Sequence, residues 1–453
     1  MAGDPSVNTE TGHSSWQAAL RDDPDECLHL TLLWSSHAPE RTGETCALVG
    51  RVLFGRGGDS RTGDPARLEL VRQRPGSNQA TGTLDNPKLS RRQWLLEPRS
   101  DGLWVENVGR RALQINGVIV RQGLAQEGDT LGVEGVLLCL VESRPRLLPR
   151  HAYEEFDVGK PDADGIVGES ASLWRLRREI ALISRENVHC LVLGESGAGK
   201  ELAARSLHRR SAAPQAPFVA RNAATIPESL MEAELFGNVA NYPNASTPAR
   251  QGLVGSANGG MLFLDEVTEL SEAQQANLLR VLDAGEYQRL GEDRPRISRF
   301  RLIAATNRPL ETLKHDFLAR FAEHIHVPGL CERRADIPLL LAVILEQLGA
   351  AGTRIQPLLL DHLVRHRYSH HFRELERLVR LSRRGSSSDT LELTPEVRAE
   401  LDFAELGTPR ESEIREALAN TKSATEAAKR LGLPSRFALY RLTKKLGIDA
   451  ENH

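Results

Sequence analysis

Gly194-Glu195-Ser196-Gly197-Ala198-Gly199-Lys200 is the stretch that decides the fold of the central part of this chain. It follows the apolar run Cys190-Leu191-Val192-Leu193 and precedes a helical pattern that begins at Glu201. In a strand, glycine-rich turn and helix of this kind, backbone N–H groups converge on phosphate oxygens and the lysine contacts the outer phosphates. We therefore predict that Gly194 to Glu201 bind a nucleoside triphosphate, although Glu201 stands where a Ser or Thr hydroxyl usually binds Mg²⁺.

A second stretch supplies the acidic groups that such a site needs. Gly260-Met261-Leu262-Phe263-Leu264-Asp265-Glu266 has the pattern of a buried strand that ends in two adjacent carboxylates. Asp265 is suited to hold Mg²⁺, and Glu266 is suited to polarise an attacking water. Because both stretches occur in order at the spacing of one domain, we predict a nucleotide site with Mg²⁺. The alternative is a glycine-rich turn and an ordinary acidic strand end.

The composition limits the class of protein. With 453 residues, of which 40% are hydrophobic and 26% charged, the chain is long enough for about three globular domains. The net charge of −3 means that any contact with nucleic acid depends on a local basic surface. The five cysteines form no CxxC pair, the polar N-terminus lacks a signal core, and no apolar run approaches the roughly 20 residues that span a bilayer. We predict a cytoplasmic protein without a membrane segment.

The chain divides by pattern into seven segments. Short strands between turn-rich breaks predict an all-β sandwich, and alternating strands and helices further on predict an α/β core. Helical periodicity then predicts a lid. The segments are a polar N-terminal segment (1–26), a β-sandwich (27–143), a linker (144–163), an α/β nucleotide-binding core (164–330), a helical lid (331–390), a second linker (391–409) and an all-α helix-turn-helix unit (410–453).

Three fragments of the predicted sandwich resemble the forkhead-associated (FHA) domain. They are Phe54-Gly55-Arg56, Leu89-Ser90-Arg91 and Ile115-Asn116-Gly117-Val118, the last followed by Glu127-Gly128-Asp129. The resemblance implies that Arg56, Ser90 and Arg91 hold a phosphothreonine of a partner protein, and an Arg beside hydroxyl donors suits a phosphate dianion. Gln93 stands where the family usually has a structural His, and the Asn usual before the Asn-Gly turn is missing. The alternative is a sandwich that serves packing or protein contact.

Four further fragments resemble the AAA+ domain of bacterial sigma-54 enhancer-binding activators, over about residues 164–390. They are Asn222-Ala223-Ala224, Glu234-Leu235-Phe236-Gly237, Ala305-Thr306-Asn307 and Phe372-Arg373-Glu374-Leu375-Glu376. The resemblance implies that the nucleotide is ATP, that Thr306-Asn307 senses its γ-phosphate, and that Asn222 pairs with Glu266 as a switch. It also implies that Arg373 contacts the nucleotide from the lid, which suits a closure sensor on charge grounds.

In this family ATP lies between neighbouring subunits of a ring, and paired arginines reach the γ-phosphate of the next subunit. The resemblance therefore implies a homo-oligomer, from dimer to ring, in which Lys314 and Arg320 hold the matching positions. Arg320 is the predicted catalytic residue in trans. Because Lys lacks the planar fork of Arg, hydrolysis is expected to be slow or differently controlled. The alternative is that both are solvated surface charges.

The most informative departure from the family lies between Gly237 and Gly252. There the family carries a Gly-Ala-Phe-Thr-Gly-Ala loop that contacts sigma-54, whereas this chain has Asn241-Tyr242-Pro243-Asn244-Ala245-Ser246. A flexible tip with an exposed Phe and Thr is replaced by a polar tip that Pro stiffens. The replacement leaves contact with sigma-54 RNA polymerase open.

The C-terminal segment carries three short amphipathic helical patterns with a turn, Gly432-Leu433-Pro434, before the third. Between Thr421 and Ile448 there are seven Lys or Arg and one acid, so the local surface is basic. The segment resembles the Fis-type helix-turn-helix, and a helical hairpin for protein contact is the alternative. The predicted DNA-contacting residues are Ser435, which caps the third helix, Arg436, Arg441, Lys444 and Lys445.

Together these patterns predict a DNA-binding transcription regulator of the sigma-54 activator type. We expect it to bind ATP and hydrolyse it in an oligomeric ring under the control of a phosphothreonine-sensing domain. Two alternatives stay open. The altered tip and Lys314 favour a nucleotide-responsive DNA-binding regulator that is independent of sigma-54, and Arg56, Ser90 and Arg91 favour a phosphothreonine adaptor whose ATPase is vestigial.

Overall fold

The computed structural model describes residues 26–57, 64–386 and 389–405, together with the single positions 414, 415, 418, 421, 431 and 443. Its contacts divide the chain into two compact units, residues 1–151 and 152–453. Within the described ranges, no helix combines the length and the apolar character needed to cross a membrane. Residues 1–25 of the predicted polar N-terminal segment and most of the predicted helix-turn-helix lie outside the described residues. So do all five predicted DNA-contacting residues, Ser435, Arg436, Arg441, Lys444 and Lys445.

The first unit is built from β strands, which confirms the all-β prediction. The strands are β1 (Glu26–Ser35), β2 (Thr45–Ala47), β3 (Val52–Phe54), β4 (Ala66–Arg67), β5 (Leu70–Arg74), β6 (Ser77–Gly82), β7 (Trp94–Arg99), β8 (Gly102–Asn107), β9 (Leu113–Ile115), β10 (Val118–Val120), β11 (Gln122–Ala125), β12 (Thr130–Val133) and β13 (Leu137–Pro145). One sheet has the order β10-β9-β12-β13-β1-β2-β5-β6, and the other has the order β11-β8-β7-β3-β4.

The two sheets of the first unit share one apolar core. Leu30 and Leu32 of β1 are fully buried in the same cluster as Phe54 and Trp94 of the second sheet. The rings of Phe54 and Trp94 stack with their centroids 4.9 Å apart. A core shared by two sheets is the arrangement of a β-sandwich, and it follows from the period-two alternation of apolar residues along β1.

The second unit contains an α/β core followed by helices. Its strands are β14 (His189–Leu193), β15 (Phe218–Asn222), β16 (Met261–Asp265), β17 (Glu286–Tyr287), β18 (Arg296–Ile297), β19 (Arg301–Thr306), β20 (Phe321–His326), β21 (Arg354–Ile355) and β22 (Thr390–Leu391). Its helices are α1 (Ala171–Ile183), α2 (Lys200–Arg209), α3 (Glu228–Phe236), α4 (Gly252–Ser256), α5 (Glu272–Ala284), α6 (His315–Leu318), α7 (Ile337–Gln347), α8 (Pro357–Arg365), α9 (His371–Gly385) and α10 (Pro395–Glu405).

A five-stranded parallel sheet with the order β15-β16-β19-β14-β20 forms the centre of this unit. Its inner strands β14, β16 and β19 are mostly apolar, and the residues of β19 are buried throughout. Such strands belong to a sheet that is covered on both faces. Two apolar clusters cover it, one that includes Leu262 and Leu264 of β16 and one that includes Met261 and Phe263 of the same strand. The α/β prediction is therefore confirmed.

Parts of both ranges predicted as linkers are ordered in the structure. In the range 144–163, Tyr153 and Phe156 pack against Trp174 of α1, with ring centroids 4.9 and 5.6 Å apart. In the range 391–409, α10 buries Val397 completely. The sequence did not predict α10 because its apolar residues are few and lie between turn-rich stretches. The helix is nevertheless held by packing and by an ion pair of 2.6 Å between Glu400 and Arg377 of α9.

Candidate nucleotide-binding site

The parallel sheet brings the predicted polar residues to one edge. Asn222 ends β15 and lies in register with Asp265, which ends β16. In the same way Leu193, which precedes the phosphate loop, lies in register with Thr306 at the end of β19. Because the carboxyl ends of parallel strands share an edge, this register assembles segments that are far apart in sequence.

The phosphate loop has the backbone that the glycines predict. Gly197 and Gly199 have φ angles of 83° and 109°, and Gly199 directly precedes α2, which begins at Lys200. Lys200 is 6% exposed, and its Nζ donates to the carbonyl oxygens of Gly194 at 3.1 Å and Glu195 at 3.3 Å. The loop therefore holds a buried ammonium group beside the N-terminus of a helix, which suits an anionic ligand.

The two carboxylates after β16 have different surroundings. The Nδ2 atom of Asn222 donates to Asp265 at 3.2 Å, so the structure pairs Asn222 with Asp265 and not with the expected Glu266. Glu266 has a φ of 53°, a left-handed conformation that non-glycine residues seldom adopt outside functional sites. Its carboxylate lies 3.9 Å from Nζ of Lys200. The sharp turn at Glu266 thus gives the two carboxylates different partners. That of Asp265 accepts a hydrogen bond from the Asn222 amide, and that of Glu266 faces the lysine of the phosphate loop.

A cavity of about 430 Å³ lies over this edge, within the size range of small-ligand sites. Its polar lining consists of Ser196, Lys200, Glu201, Asn222, Asp265, Glu266, Arg333, Gln347 and Arg373. Its apolar lining includes Ile166, Val167, Leu173, Leu176, Leu202, Leu340, Val343 and Phe372. A phosphate loop together with an apolar wall fits a nucleotide, whose base is apolar on its faces and whose phosphates are anionic. Arg373, which the resemblance predicts to contact the nucleotide from the lid, lines this cavity from α9.

The residues present also fit Mg²⁺. Among the described residues no cluster of three or more metal-ligating side chains occurs, and Mg²⁺ typically needs only one or two carboxylates in addition to phosphates and waters. Asp265 is such a carboxylate at the edge of the cavity. Glu201 lines the cavity as well, but its carboxylate accepts from Arg205 at 2.7 Å, one helical turn away. Asp265 is therefore the better ligand.

The sequence did not single out Arg333, although it lines the cavity. It is 7% exposed, and its Nη2 donates to the carbonyl oxygen of Ala198 in the phosphate loop at 3.3 Å. Its Nε finds no hydrogen-bond acceptor among the described residues. Burial lowers the pKa of its guanidinium, while Asp336 acts in the opposite direction. Nothing in the run Glu332-Arg333-Arg334 indicates which arginine is buried, because this depends on the approach of the lid.

Among the predicted residues of the described chain, Asn307, Arg320 and Lys314 do not line this cavity. Asn307 is exposed just after β19, the strand between those that carry the phosphate loop and Asp265. Arg320 is 43% exposed and donates to Asp283 through Nε at 2.5 Å and Nη2 at 3.0 Å. This contact lowers the pKa of the Asp283 carboxyl. Lys314 lies 3.3 Å from Glu272. For Arg320 and Lys314, a surface position is what a residue acting on a neighbouring subunit needs.

The segment between α3 and α4 forms a closed loop. Asn238, 3% exposed, donates through Nδ2 to the carbonyl oxygens of Val239, Tyr242 and Pro248 at 2.9, 3.3 and 2.9 Å. Tyr242 is 41% exposed, and its ring lies so close to Gly291 that a Cβ there would be 2.7 Å from the ring. The substituted tip is therefore anchored to the β17–β18 hairpin.

In the first unit, the three predicted phosphate-binding residues lie together. The backbone N–H of Arg56 donates to the carbonyl oxygen of Ser90 at 3.0 Å, and the hydroxyl of Ser90 accepts from the N–H of Arg110 at 3.0 Å. Gln93 is fully buried and donates to Asn107 at 3.0 Å and to the carbonyl oxygen of Arg111 at 2.9 Å. Gln93 thus cross-links the loops at this end of the sandwich.

The chain is similar to a described domain family and to curated transcription regulators. The family model described as the sigma-54 interaction domain matches residues 166–325. The anaerobic nitric oxide reductase transcription regulator NorR of Aeromonas hydrophila subsp. hydrophila is 38% identical over 285 residues, which are 59% of this chain and 56% of that protein. The nitric oxide reductase transcription regulator NorR1 of Cupriavidus necator is 35% identical over 353 residues, 68% of each protein.

A solved structure is also similar. NtrX from Brucella abortus matches with 30% identity over 63% of this chain and 67% of that chain, with a TM-score of 0.49. The chain spans little more than half the length of the Aeromonas hydrophila relative.

Proposed function

This chain belongs to the family of transcription regulators that carry a sigma-54 interaction domain, and from that premise we propose that it is an ATP-driven regulator of transcription. One observation carries the proposal. A single cavity of nucleotide size brings together Lys200, Asp265, Glu266 and Arg373. A buried ammonium group, two carboxylates at a strand end and an arginine from the lid together suit the binding and hydrolysis of a triphosphate.

Each of these side chains has a role that its position supports. The backbone of residues 194–201 and Lys200 would bind the phosphates, and Asp265 would hold Mg²⁺, which neutralises phosphate charge when bound. Glu266 would orient the attacking water, since its carboxylate faces the phosphate-loop lysine at 3.9 Å. Arg320, exposed at the surface, would act on the nucleotide of a neighbouring subunit in a homo-oligomer.

Two substitutions in the full chain test the ATPase. Lys200→Ala removes the buried positive charge of the phosphate loop, so we expect it to abolish ATP binding. Glu266→Gln keeps the shape of the side chain but removes the carboxylate, so we expect ATP to bind and not to turn over. Fluorescent-nucleotide titration and phosphate release measure the two steps. Glu311→Gln, at an exposed position, is the control. Ordinary turnover by the Glu266→Gln protein would contradict the role of Glu266.

We also propose sigma-54 RNA polymerase as a partner and DNA as the target of the C-terminal segment. Membership of the family supports the first, and the seven basic residues between Thr421 and Ile448 support the second. A regulator that is independent of sigma-54 is the alternative that the altered tip at 241–246 favours. Capture of sigma-54 in the presence of a transition-state analogue of ATP would count against that alternative.

A second candidate function, phosphothreonine recognition, is favoured by the loops of the first unit. The backbone N–H groups of Arg56 and Arg110 both contact Ser90, and Arg91 follows Ser90 in the chain, so the loops that carry these three arginines meet at Ser90. Arginines on adjoining loops around a serine hydroxyl would suit a phosphate dianion. We expect phosphothreonine peptides to bind the full chain and Arg56→Ala to abolish that binding, as measured by fluorescence anisotropy. The unphosphorylated peptides are the control, and binding that survives Arg56→Ala would eliminate this site.

A further inference from the structure

The lid meets the phosphate loop at the first residue of α9. His371 is only 2% exposed, yet its backbone has a φ of 45° in the left-handed region, where residues other than glycine are uncommon. Such a conformation costs free energy and persists only where the surroundings determine it. The contacts of the imidazole ring show what determines it here.

Two hydrogen bonds fix the ring. The backbone N–H of Leu330 donates to Nδ1 at 3.0 Å, and Nε2 lies 2.9 Å from a carboxylate oxygen of Glu195. Because Nδ1 accepts a hydrogen bond, the ring proton is on Nε2, which donates it to Glu195. The side chain therefore connects the segment at the end of the core, the lid and the phosphate loop.

The backbones of the lid and the phosphate loop are in contact at the same place. The N–H of Phe372 donates to the carbonyl oxygen of Gly197 at 3.4 Å. A Cβ at Gly197 would overlap the carbonyl oxygen of His370, so only glycine permits this approach. The next residue of α9, Arg373, lines the nucleotide cavity. If the start of α9 moves, Arg373 in the cavity wall moves with it, and the contacts of His371 break at the same time.

We propose that His371 is a positioning residue that latches the lid to the phosphate loop through Glu195, so that nucleotide release requires this hydrogen bond to break. The inference rests on the proposed nucleotide function and adds to it a determinant of the release rate. The Glu195 side chain is 67% exposed, so water competes for its carboxylate and limits the strength of the latch. We expect its loss to speed ADP release by roughly three- to tenfold.

A double-mutant cycle on the full chain tests the latch. The variants are Glu195→Ala, His371→Asn and the double substitution, and stopped-flow fluorescence measures the association and dissociation of a fluorescent ADP. Asn tolerates a positive φ and keeps an acceptor near Leu330, but it is too short to contact Glu195. Each single variant should release ADP faster with little change in association rate. The double variant should match the single variants, since all three lack the same bond.

The neighbouring His370→Asn is the matched control, because His370 is exposed and should release ADP at the wild-type rate. Unchanged release from Glu195→Ala, or additive effects in the double variant, would overturn the latch. Glu195 is exposed, so its variant keeps the test valid even if His371→Asn folds poorly. A wild-type chain that binds no nucleotide would instead contradict the proposed function itself.

Discussion

At the scale of the residue, Arg333 is a buried guanidinium group whose hydrogen bonds the described residues satisfy only in part. A buried guanidinium whose Nε has no acceptor among the described residues is costly, because the charge has left water without full compensation. It faces a cavity built on a phosphate loop. A polyanion in that cavity would supply the missing acceptor.

We therefore expect Arg333→Met to weaken nucleotide binding. Hydrogen bonds to charged groups contribute about 1.5 to 3 kcal/mol, which corresponds to a roughly ten- to hundredfold loss of affinity. Isothermal titration with ATP and ADP measures it. Arg334→Met is the control, since Arg334 is not among the described residues that line the cavity. Equal affinities in wild type and Arg333→Met would assign Arg333 to support of the phosphate loop through Ala198 alone.

The predicted residues that the structure brings together at the central cavity belong to short contiguous stretches. Asp265 and the phosphate loop are recognisable because a strand and its following turn carry the whole arrangement. The pairing of Asn222 with Asp265 instead of Glu266 depends on the register of β15 and β16, which no local pattern specifies. His371 and Arg333 depend on how the lid folds back on the core, and this is a long-range property.

At the scale of the element, helix α1 carries the carboxyl group of Glu179 in a position where burial makes its ionisation unfavourable. Burial raises the pKa of Glu179 to about 7, although Arg175 on the preceding turn acts in the opposite direction. The ordinary value is 4.5, so between 4.5 and 7 the unfolded chain ionises while the folded chain keeps its proton. The folded state therefore loses stability as pH rises through this range.

The substitution Glu179→Gln removes this ionisable group and should change how the melting temperature depends on pH. Its melting temperature relative to wild type should rise as pH increases from 4.5 to 7 and stay level above that range. Differential scanning fluorimetry across this interval measures the difference. Glu186→Gln, on the exposed turn after the same helix, should run parallel to wild type. A constant difference for Glu179→Gln at all pH values would show that Glu179 ionises normally.

Elements differ in how far sequence could predict them. The strands of the sandwich and of the parallel sheet could be predicted from the sequence. A strand buried on one face alternates apolar and polar residues, and a strand buried on both faces is a run of apolar residues. Helix α10 was missed because, among its residues whose burial the structure describes, Val397 and Leu401 alone are buried. The closed loop after α3 was predicted to be polar and stiff, but its anchor depends on the buried amide of Asn238.

At the scale of the whole molecule, the altered loop is the segment through which the proposed ATPase would act on the proposed partner, sigma-54. Tyr242 is the one aromatic residue of that tip, it is partly exposed, and its contact with Gly291 fixes its direction. An aromatic ring on a fixed loop is the kind of side chain that contributes most at protein interfaces. Among the residues of the tip, it is therefore the best candidate for the contact.

In vitro transcription from a sigma-54 promoter with this protein's own binding site, with ATP hydrolysis recorded in the same tube, tests that link. We expect ATP-dependent open complexes from wild type, and we expect Tyr242→Ser to lose them while hydrolysis continues, since Tyr242 is not among the described residues that line the cavity. Asn244→Ser, at an exposed polar position of the same tip, should behave as wild type. Hydrolysis without open complexes in the wild-type reaction would make the chain a regulator that is independent of sigma-54, because ATP would then be hydrolysed without any action on the polymerase.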